Sequence, residues 1–344
     1  MKILVTGAAG FIGSRVANFY AGKGYDVVAI DNLSRDKLLG KEIRNKYFNW
    51  NYLKTLKNVT AIEGDVRDIE TAKSACSGCD YVLHAAAQTA VTTSIKDPAT
   101  DFYSNAVGTF NVLEASRLKD VKKFLYCSTN KVYGNNVNNV GIIESEKRYE
   151  FEDEFKHGIP EDFSIDICEH TPYGSSKLAG DIYCQDYGHL YGISTGVFRM
   201  SCIYGTHQFG LEDQGWVAWF AIANILNRPI TIYGDGKQVR DVLYIQDLIN
   251  LYDKFIGSNI KHGVFNAGGG PNNTLSLLEL LDILHDITGK KAEFSKSDWR
   301  PSDQKVYISD IRKAKKNLGW EPKVSPKDGL KSLVEFVKKN REIF

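Results

Sequence analysis

Tyr173 and Lys177 stand four residues apart in "TPYGSSK". On a helix that spacing places both side chains on one face. Thr171 and Pro172, directly before them, are a capping residue and a first-turn proline, so a helix is expected to begin here. An ammonium beside a phenol favours the phenolate and lowers its pKa. A phenol tuned in this way could take a proton from a hydroxyl while hydride leaves the same carbon. The plainer alternative is a pair on a surface helix. A second group lies in "STNKVYG", residues 128–134, after the apolar run "KKFLYC". Ser128 and Thr129 bring hydroxyls to the end of a buried strand. Asn130 and Lys131 follow with an amide and an amine, and no carboxylate. An amide is no general acid in this setting, and an ammonium replaces a carboxylate base only if its pKa falls far. Lys131 reads equally well as a solvated charge at a loop tip.

A cofactor signal sits at the start of the chain. "MKILVTG" reads as a buried strand rather than a leader, and "TGAAGFIGS" follows it with Gly7, Gly10 and Gly13 in a G-x-x-G-x-x-G spacing. Such a turn needs glycine where the backbone bends sharply and approaches a pyrophosphate, with free helix N–H groups aimed at the anion. A glycine pattern alone is also what any tight strand–helix turn requires. The next strand, "DVVAI", leads into Asp31, whose carboxylate could accept from an adenosine ribose and would repel a 2′-phosphate. That points to NAD rather than NADP. Arg35 is the counter-signal, because an arginine nearby can bind a 2′-phosphate. Asp65 and Val66 in "GDVRD" end the third strand, where an adenine edge could rest; Asp65 also fits a turn.

These residues need a scaffold. The runs "KILVT", "YDVVAI", "NVTAIE", "CDYVLHAA", "KKFLYC" and "ISTGVFRM" are strand-sized, and segments such as "GTFNVLEASRL" between them suit crossover helices. That alternation predicts an α/β fold with a Rossmann-type, doubly wound parallel sheet. After residue 200 the rhythm loosens into glycine clusters such as "YGDGKQ" and "NAGGGPNN". The expected division is a dinucleotide-binding domain over 1–200, with some later segments returning to it, and a smaller C-terminal α/β substrate lobe over 201–344. The polar stretch 135–170 reads as an insertion or flap.

Bulk properties narrow the function class. The chain has 344 residues, 43% hydrophobic and 25% charged, with a formal net charge of +1. That length supports a large core. The balanced charge argues against a broad nucleic-acid footprint, and no apolar run approaches membrane-spanning length. Six cysteines without a disulfide framework point to a reducing cytoplasm. Cys76 and Cys79 form a single C-x-x-C with no second pair at metal spacing, so no metal is expected.

Taken together, the motifs resemble those of the extended short-chain dehydrogenases/reductases, the family of NAD-dependent sugar-nucleotide epimerases and dehydratases. The resemblance runs through "TGAAGFIG", "DNLS", "HAAAQTAV", "NAVGTFNVLEAS", "ST..VYG", "YGSSK" and "GDGKQVRD". It implies an NAD site that also includes Phe11, Ile12, Asn32, Ser34, Ala85, Ala86, Ala87, Asn105, Ser128, Tyr173 and Lys177. It implies a catalytic set of Thr129, Tyr173 and Lys177, with Thr129 helping the tyrosine hold the sugar. The 4,6-dehydratases of the family place an Asp-Glu pair where this chain has Asn130 and Lys131, which disfavours elimination and leaves reversible hydride transfer. For the substrate the resemblance implies Gln88, Thr129, Asn130, Lys131, Ser201, Arg240, Arg300 and Asp303. The two arginines would take the nucleotide diphosphate, since guanidinium forks suit phosphate oxygens, although each also fits an ordinary surface ion pair.

A narrower resemblance, carried by "STNKVYG", "DQGW", "GKQVRDVL" and "RPSDQKVYISD", is to the branch that inverts C2 of a CDP-activated sugar. It implies transient oxidation to a 2-keto sugar and re-reduction on the opposite face. CDP is the favoured nucleotide, with GDP or UDP as alternatives. Many 4-epimerases have asparagine where this chain has Cys202 in "RMSCIYG". A UDP-hexose 4-epimerase remains the alternative enzyme, and a non-catalytic NAD-binding regulator the alternative from another class. The helices near "NAVGTFNVLEAS" and around Tyr173 are rich in apolar residues, and in the family these two pack against their symmetry mates, so the resemblance implies a homodimer.

Overall fold

A computed structural model describes residues 1–39, 45–300 and 303–344. Seven strands, numbered here in chain order, form one sheet: β1 (Lys2–Thr6), β2 (Asp26–Asp31), β3 (Val59–Glu63), β4 (Tyr81–His84), β5 (Lys123–Thr129), β6 (Ser194–Met200) and β7 (His262–Ala267). Their spatial order is β7-β6-β5-β4-β1-β2-β3. The pairs β1–β2, β2–β3, β1–β4 and β4–β5 are parallel. Each of the six runs expected as strands is one. Valine, isoleucine and leucine fill them because strands covered on both faces have no solvated side. β7 is the addition; "HGVFNA" carries too weak an alternation to stand out.

The order reverses direction between β1 and β4. In open α/β sheets that switch point is where a crevice opens beyond the carboxyl ends of the strands. Thr6, at the end of β1, is in register with His84 on β4 and with Ile30 on β2. So the glycine turn after β1, Asp31 at the end of β2 and the alanines after β4 all emerge at one edge of the sheet.

The chain divides into two compact units. The first holds 1–132, 171–199 and 252–265, built on Leu4, Val28, Ile30, Val82, Leu113, Phe124 and Tyr126. The second holds 133–170, 200–251 and 266–344. The stretch 133–170 thus belongs to the second unit, where Ile142–Glu144 pairs antiparallel with Tyr149–Phe151 and the Tyr149 N–H donates to the Lys237 carbonyl. Residues 252–265 return to the first. The second unit has its own sheet around strand Val239–Tyr244, which pairs with Cys202–Tyr204, Thr274–Ser276 and Val306–Tyr307. Helices Trp216–Leu226, Leu277–Thr288 and Pro326–Lys339 bury Phe220, Ile222, Leu280, Leu330 and Leu333 in that unit's core. Among the described residues no helix is long and apolar enough to cross a membrane.

Candidate active site

The glycine turn is built of backbone. Gly7 has φ +66°, a conformation L side chains rarely adopt. A Cβ on Gly7 would stand 2.7 Å from the Ala86 nitrogen, and one on Gly13 would stand 2.2 Å from the Gly7 carbonyl oxygen. The turn therefore brings the chain after β1 against Ala85 and Ala86 after β4, with no room for a side chain. Phe11 and Ile12 open the helix Phe11–Gly22, whose N-cap Gly10 offers no side-chain cap to the first N–H groups. Asp31 stands at the end of β2. Its Oδ2 accepts from the Ala9 N–H at 2.9 Å and its Oδ1 from the Leu33 N–H at 2.8 Å. Burial pushes its carboxyl up, and these two donors work against that. A glycine-only cradle, uncapped helix N–H groups and an acidic residue at the next strand end fit a dinucleotide.

The residues around Asp31 hold one another. The Asn32 amide donates to Asp65 at 3.0 Å, and the Ser34 hydroxyl donates to Asn32 Oδ1 at 2.7 Å. Burial alone would raise Asp65, but the Arg67 guanidinium at 2.7 Å and the Asn32 amide hold it at about 2. The carbonyl of Val66 is bound by Asn111 Nδ2 at 3.1 Å, which ties the end of the third strand to helix Gly108–Leu118. Arg35 opens the short helix Arg35–Leu39, and burial lowers its pKa.

Helix Thr171–Leu190 carries Tyr173 and Lys177 as the spacing requires. Thr171 starts it at φ +64°, an uncommon state for a β-branched residue, and its hydroxyl accepts from the Gly174 N–H at 3.4 Å. The Tyr173 N–H is held by Ser94 Oγ at 3.2 Å. Burial pushes the Tyr173 phenol up to about 12, against a hydrogen bond from Thr129 that lowers it. The expected lowering of this phenol is thus outweighed by desolvation. Burial also pushes Lys177 down to about 8, so it remains mainly an ammonium at neutral pH. Its Nζ lies 4.2 Å from the centre of the Tyr126 ring, a cation–π contact. Thr129 ends β5 beside these groups, and its oxygen also accepts from the Lys131 N–H at 3.2 Å. Asn130 is buried next to it, its Oδ1 within 3.4 Å of the Thr129 hydroxyl.

Other residues expected at the site turn inward. The Ser128 hydroxyl donates to Asp181 at 2.7 Å, and Asp181 is salt-bridged to the buried Arg199 at 3.0 Å. Gln88 is buried, with its Nε2 donating to Asp101 and to the Ala90 carbonyl, both at 2.9 Å. Asn105 sits in the π-helical turn Tyr103–Val107 and clamps Gln88 from both sides, accepting from its N–H at 2.8 Å and donating to its carbonyl at 3.0 Å. Residue spacing did not reveal the partners Asp101, Ser176, Asp181 and Arg199. The one local signal is that Asp101 and Asn105 are four apart, the interval that aligns helical side chains.

In the second unit, Arg240 lies on strand Val239–Tyr244 and pairs with Asp303 at 2.7 Å. Arg300 pairs with Asp213 at 2.9 Å and lies over the Tyr233 ring at 4.0 Å. A planar guanidinium on an aromatic face offers a stacking surface and a charge for a nucleotide. The Ser201 hydroxyl donates to the buried carboxylate of Asp241 and lies 2.9 Å from that residue's carbonyl oxygen. Cys202 accepts from the Trp216 indole N–H at 3.2 Å.

Known proteins share this fold. The NAD dependent epimerase/dehydratase family matches residues 3–268. The CDP-paratose 2-epimerase of Salmonella typhi is 40% identical over 346 residues, spanning 98% of this chain and 99% of that protein. The UDP-glucuronate 4-epimerase of Thermodesulfobacterium geofontis is 31% identical over 99% of this chain and 97% of its own length. Among solved structures, UDP-glucose 4-epimerase from Thermotoga maritima with UDP-glucose superposes with a TM-score of 0.83 at 32% identity, covering 99% of this chain and 100% of that one. UDP-glucuronic acid 4-epimerase from Bacillus cereus, in complex with UDP-glucuronic acid and NAD, gives 0.81 at 30% identity over 98% and 99%.

Proposed function

Because the chain belongs to the NAD dependent epimerase/dehydratase family, we propose that it inverts C2 of a CDP-activated sugar by oxidation and re-reduction at that one carbon. It is an NAD-dependent sugar-nucleotide isomerase. The observation that carries the choice of carbon and base is the 40% identity, end to end, with CDP-paratose 2-epimerase. Asn130 and Lys131 after Thr129 support it, because elimination needs carboxylates there. NAD, when bound, would supply the hydride acceptor and then the hydride donor. Gly7, Gly10, Gly13 and Asp31 would hold it.

Tyr173 takes the proton of the C2 hydroxyl as the carbon is oxidised, and returns it after the flat 2-keto sugar has presented its other face. A phenol near 12 must be brought down to do this at neutral pH; the Thr129 hydroxyl acts in that direction, and any cation brought close to the phenol favours the phenolate. Arg240 and Arg300 would take the diphosphate, exchanging carboxylates for phosphate oxygens. A UDP-hexose 4-epimerase is the second reading, favoured by relatives of that activity at 30–32% identity. Against it, Cys202 receives an indole N–H where a substrate-binding amide would stand.

A homodimer and a cytoplasmic setting belong to the same proposal. Phe102, Tyr103, Phe110, Ile182, Tyr183 and Leu190 are exposed on the two helical segments 98–118 and 171–190. Phe110 and Tyr183 meet at 5.6 Å, so the two segments share one apolar patch. All six cysteines are free thiols. Light scattering at micromolar concentration tests the dimer; a monomer refutes it.

The test of function is to offer CDP-, GDP- and UDP-sugars and identify the products by NMR. A CDP-sugar deuterated at C2 should epimerise with its label retained, and product made in D2O should gain none at carbon. Solvent deuterium at C2 would mean deprotonation of carbon and overturn the mechanism. Inversion at C4 would select the second reading.

A further inference from the structure

Asp101 is a fully buried carboxylate with three donors around it. Ser176 Oγ lies 2.5 Å from its Oδ2; Gln88 Nε2 and Asn105 Nδ2 lie 2.9 and 3.1 Å from its Oδ1. Ser176 has one hydroxyl proton and two acceptors, Asp101 and the Tyr173 carbonyl at 3.1 Å. The shorter contact is to the carboxylate, so the proton lies there. Three donors and no facing acceptor favour an ionised carboxylate, while burial pushes its pKa up. Ser176 occupies the helical turn between Tyr173 and Lys177, and its oxygen lies 3.1 Å from Asn105 Nδ2. One carboxylate therefore ties together the loop at Gln88, the π-helical turn at Asn105 and the turn that presents the reacting groups.

We propose that Asp101 is a positioning residue: its buried carboxylate fixes the turn that carries Tyr173 and Lys177 and places one negative charge within electrostatic reach of both. The proposal rests on the acid/base reading of Tyr173. The charged and titratable groups facing this cluster are few. Asp97 lies on its own segment; Tyr173, Lys177, Asp181 and Cys184 are on helix Thr171–Leu190; Tyr126 and Cys127 are on β5; and His84 is on β4. Asp181 is matched by Arg199. Asp101 thus raises the phenol of Tyr173 and supports the ammonium of Lys177.

The decisive variant is Asp101→Asn, which keeps the shape and removes the charge. The rate requires Tyr173 ionised and Lys177 protonated, and loss of a nearby anion lowers both pKa values. Both limbs of the pH–rate profile should therefore move to lower pH. Asp101→Ala should lose about 100-fold in kcat with little change in KM, the size of a small misplacement of reacting groups. A profile for Asp101→Asn that superimposes on the parent's, with a parent-like rate, overturns the proposal. A second readout needs no substrate. With lysines 13C-labelled at Cε, the Lys177 resonance, identified by its loss in Lys177→Arg, should titrate below its parent midpoint in Asp101→Asn; an unmoved midpoint counts against the charge. If the parent turns over no CDP-, GDP- or UDP-sugar, the functional reading fails while this titration still decides the role of Asp101. If Asp101→Asn does not fold, Ser176→Ala cuts the tie and keeps the charge. It should lose rate with its pH profile in place, and a parent-like rate overturns the proposal.

Discussion

At Gly7 and Gly13 the site is shaped by backbone, and an added Cβ would strike a peptide group. At Tyr173 and Lys177 it is shaped by buried polar side chains brought from elsewhere: Thr129 from β5, Ser94 and Asp101 from the segment after β4, and Tyr126 beneath the ammonium. The first region has one solution and tolerates only glycine. The second is adjustable, because each group's pKa depends on its neighbours. Binding a constant cofactor suits a rigid cradle; moving a proton suits a tunable one.

Two substitutions separate these regions. Tyr173→Phe removes the proton carrier and leaves the ring's packing, so the rate should fall about 10³-fold. Cofactor content, measured as nucleotide released on denaturation, should stay at the parent level. Near-normal turnover would remove Tyr173 from the chemistry and dissolve the contrast. Gly13→Ala should do the reverse. Its Cβ meets the Gly7 carbonyl oxygen at 2.2 Å, and backbone cannot swing aside. NAD affinity should weaken about 100-fold, the scale of overpacking by one methyl group. Turnover at saturating NAD should be largely kept. Parent-like affinity by calorimetry would mean that the turn is less constrained than its contacts imply.

The same contrast decides what could be read from the residues alone. Glycine spacing reports backbone geometry, which is local, so Gly7, Gly10, Gly13 and Asp31 are legible. The four-residue interval of Tyr173 and Lys177 is legible because helix periodicity is local too. Six strands announced themselves by strand-sized runs of aliphatic and aromatic residues. The carboxylate beneath the reacting turn did not, because Asp101 and Ser176 are 75 residues apart and meet only through the fold. For the same reason the side chains of Gln88, Ser128 and Ser201 face buried carboxylates at Asp101, Asp181 and Asp241, which sequence spacing does not reveal. A second lobe after residue 200 was expected, but the membership of segment 133–170 was hidden likewise: it joins residues beyond 200 through a tertiary contact, Tyr149 to Lys237, with no periodic signal.

His84 joins the two regions, and it supplies the smallest and most specific effect. Its Nδ1 lies 2.7 Å from the hydroxyl of Thr6, which also accepts the Ala86 N–H beside the glycine turn. Its Nε2 lies 3.0 Å from Thr109 Oγ1 on helix Gly108–Leu118, and its ring stacks on Tyr126, which bears the Lys177 ammonium. Burial first, and the charge of Lys177 second, push its pKa down to about 3. The unfolded chain protonates a histidine near 6.5. Between these values the unfolded state holds the extra proton, so folding stability falls as pH falls through that window and is complete above it. At pH 5.5 this one group should already cost about 1.4 kcal/mol relative to pH 8. His84→Gln keeps hydrogen-bonding capacity and removes the titration. Urea unfolding at pH 8 and 5.5 should therefore show a smaller acid loss in the variant than in the parent, by about that amount. Equal losses in both proteins would mean that His84 charges within the fold, and that the join between the cofactor turn and the reacting turn is open to water.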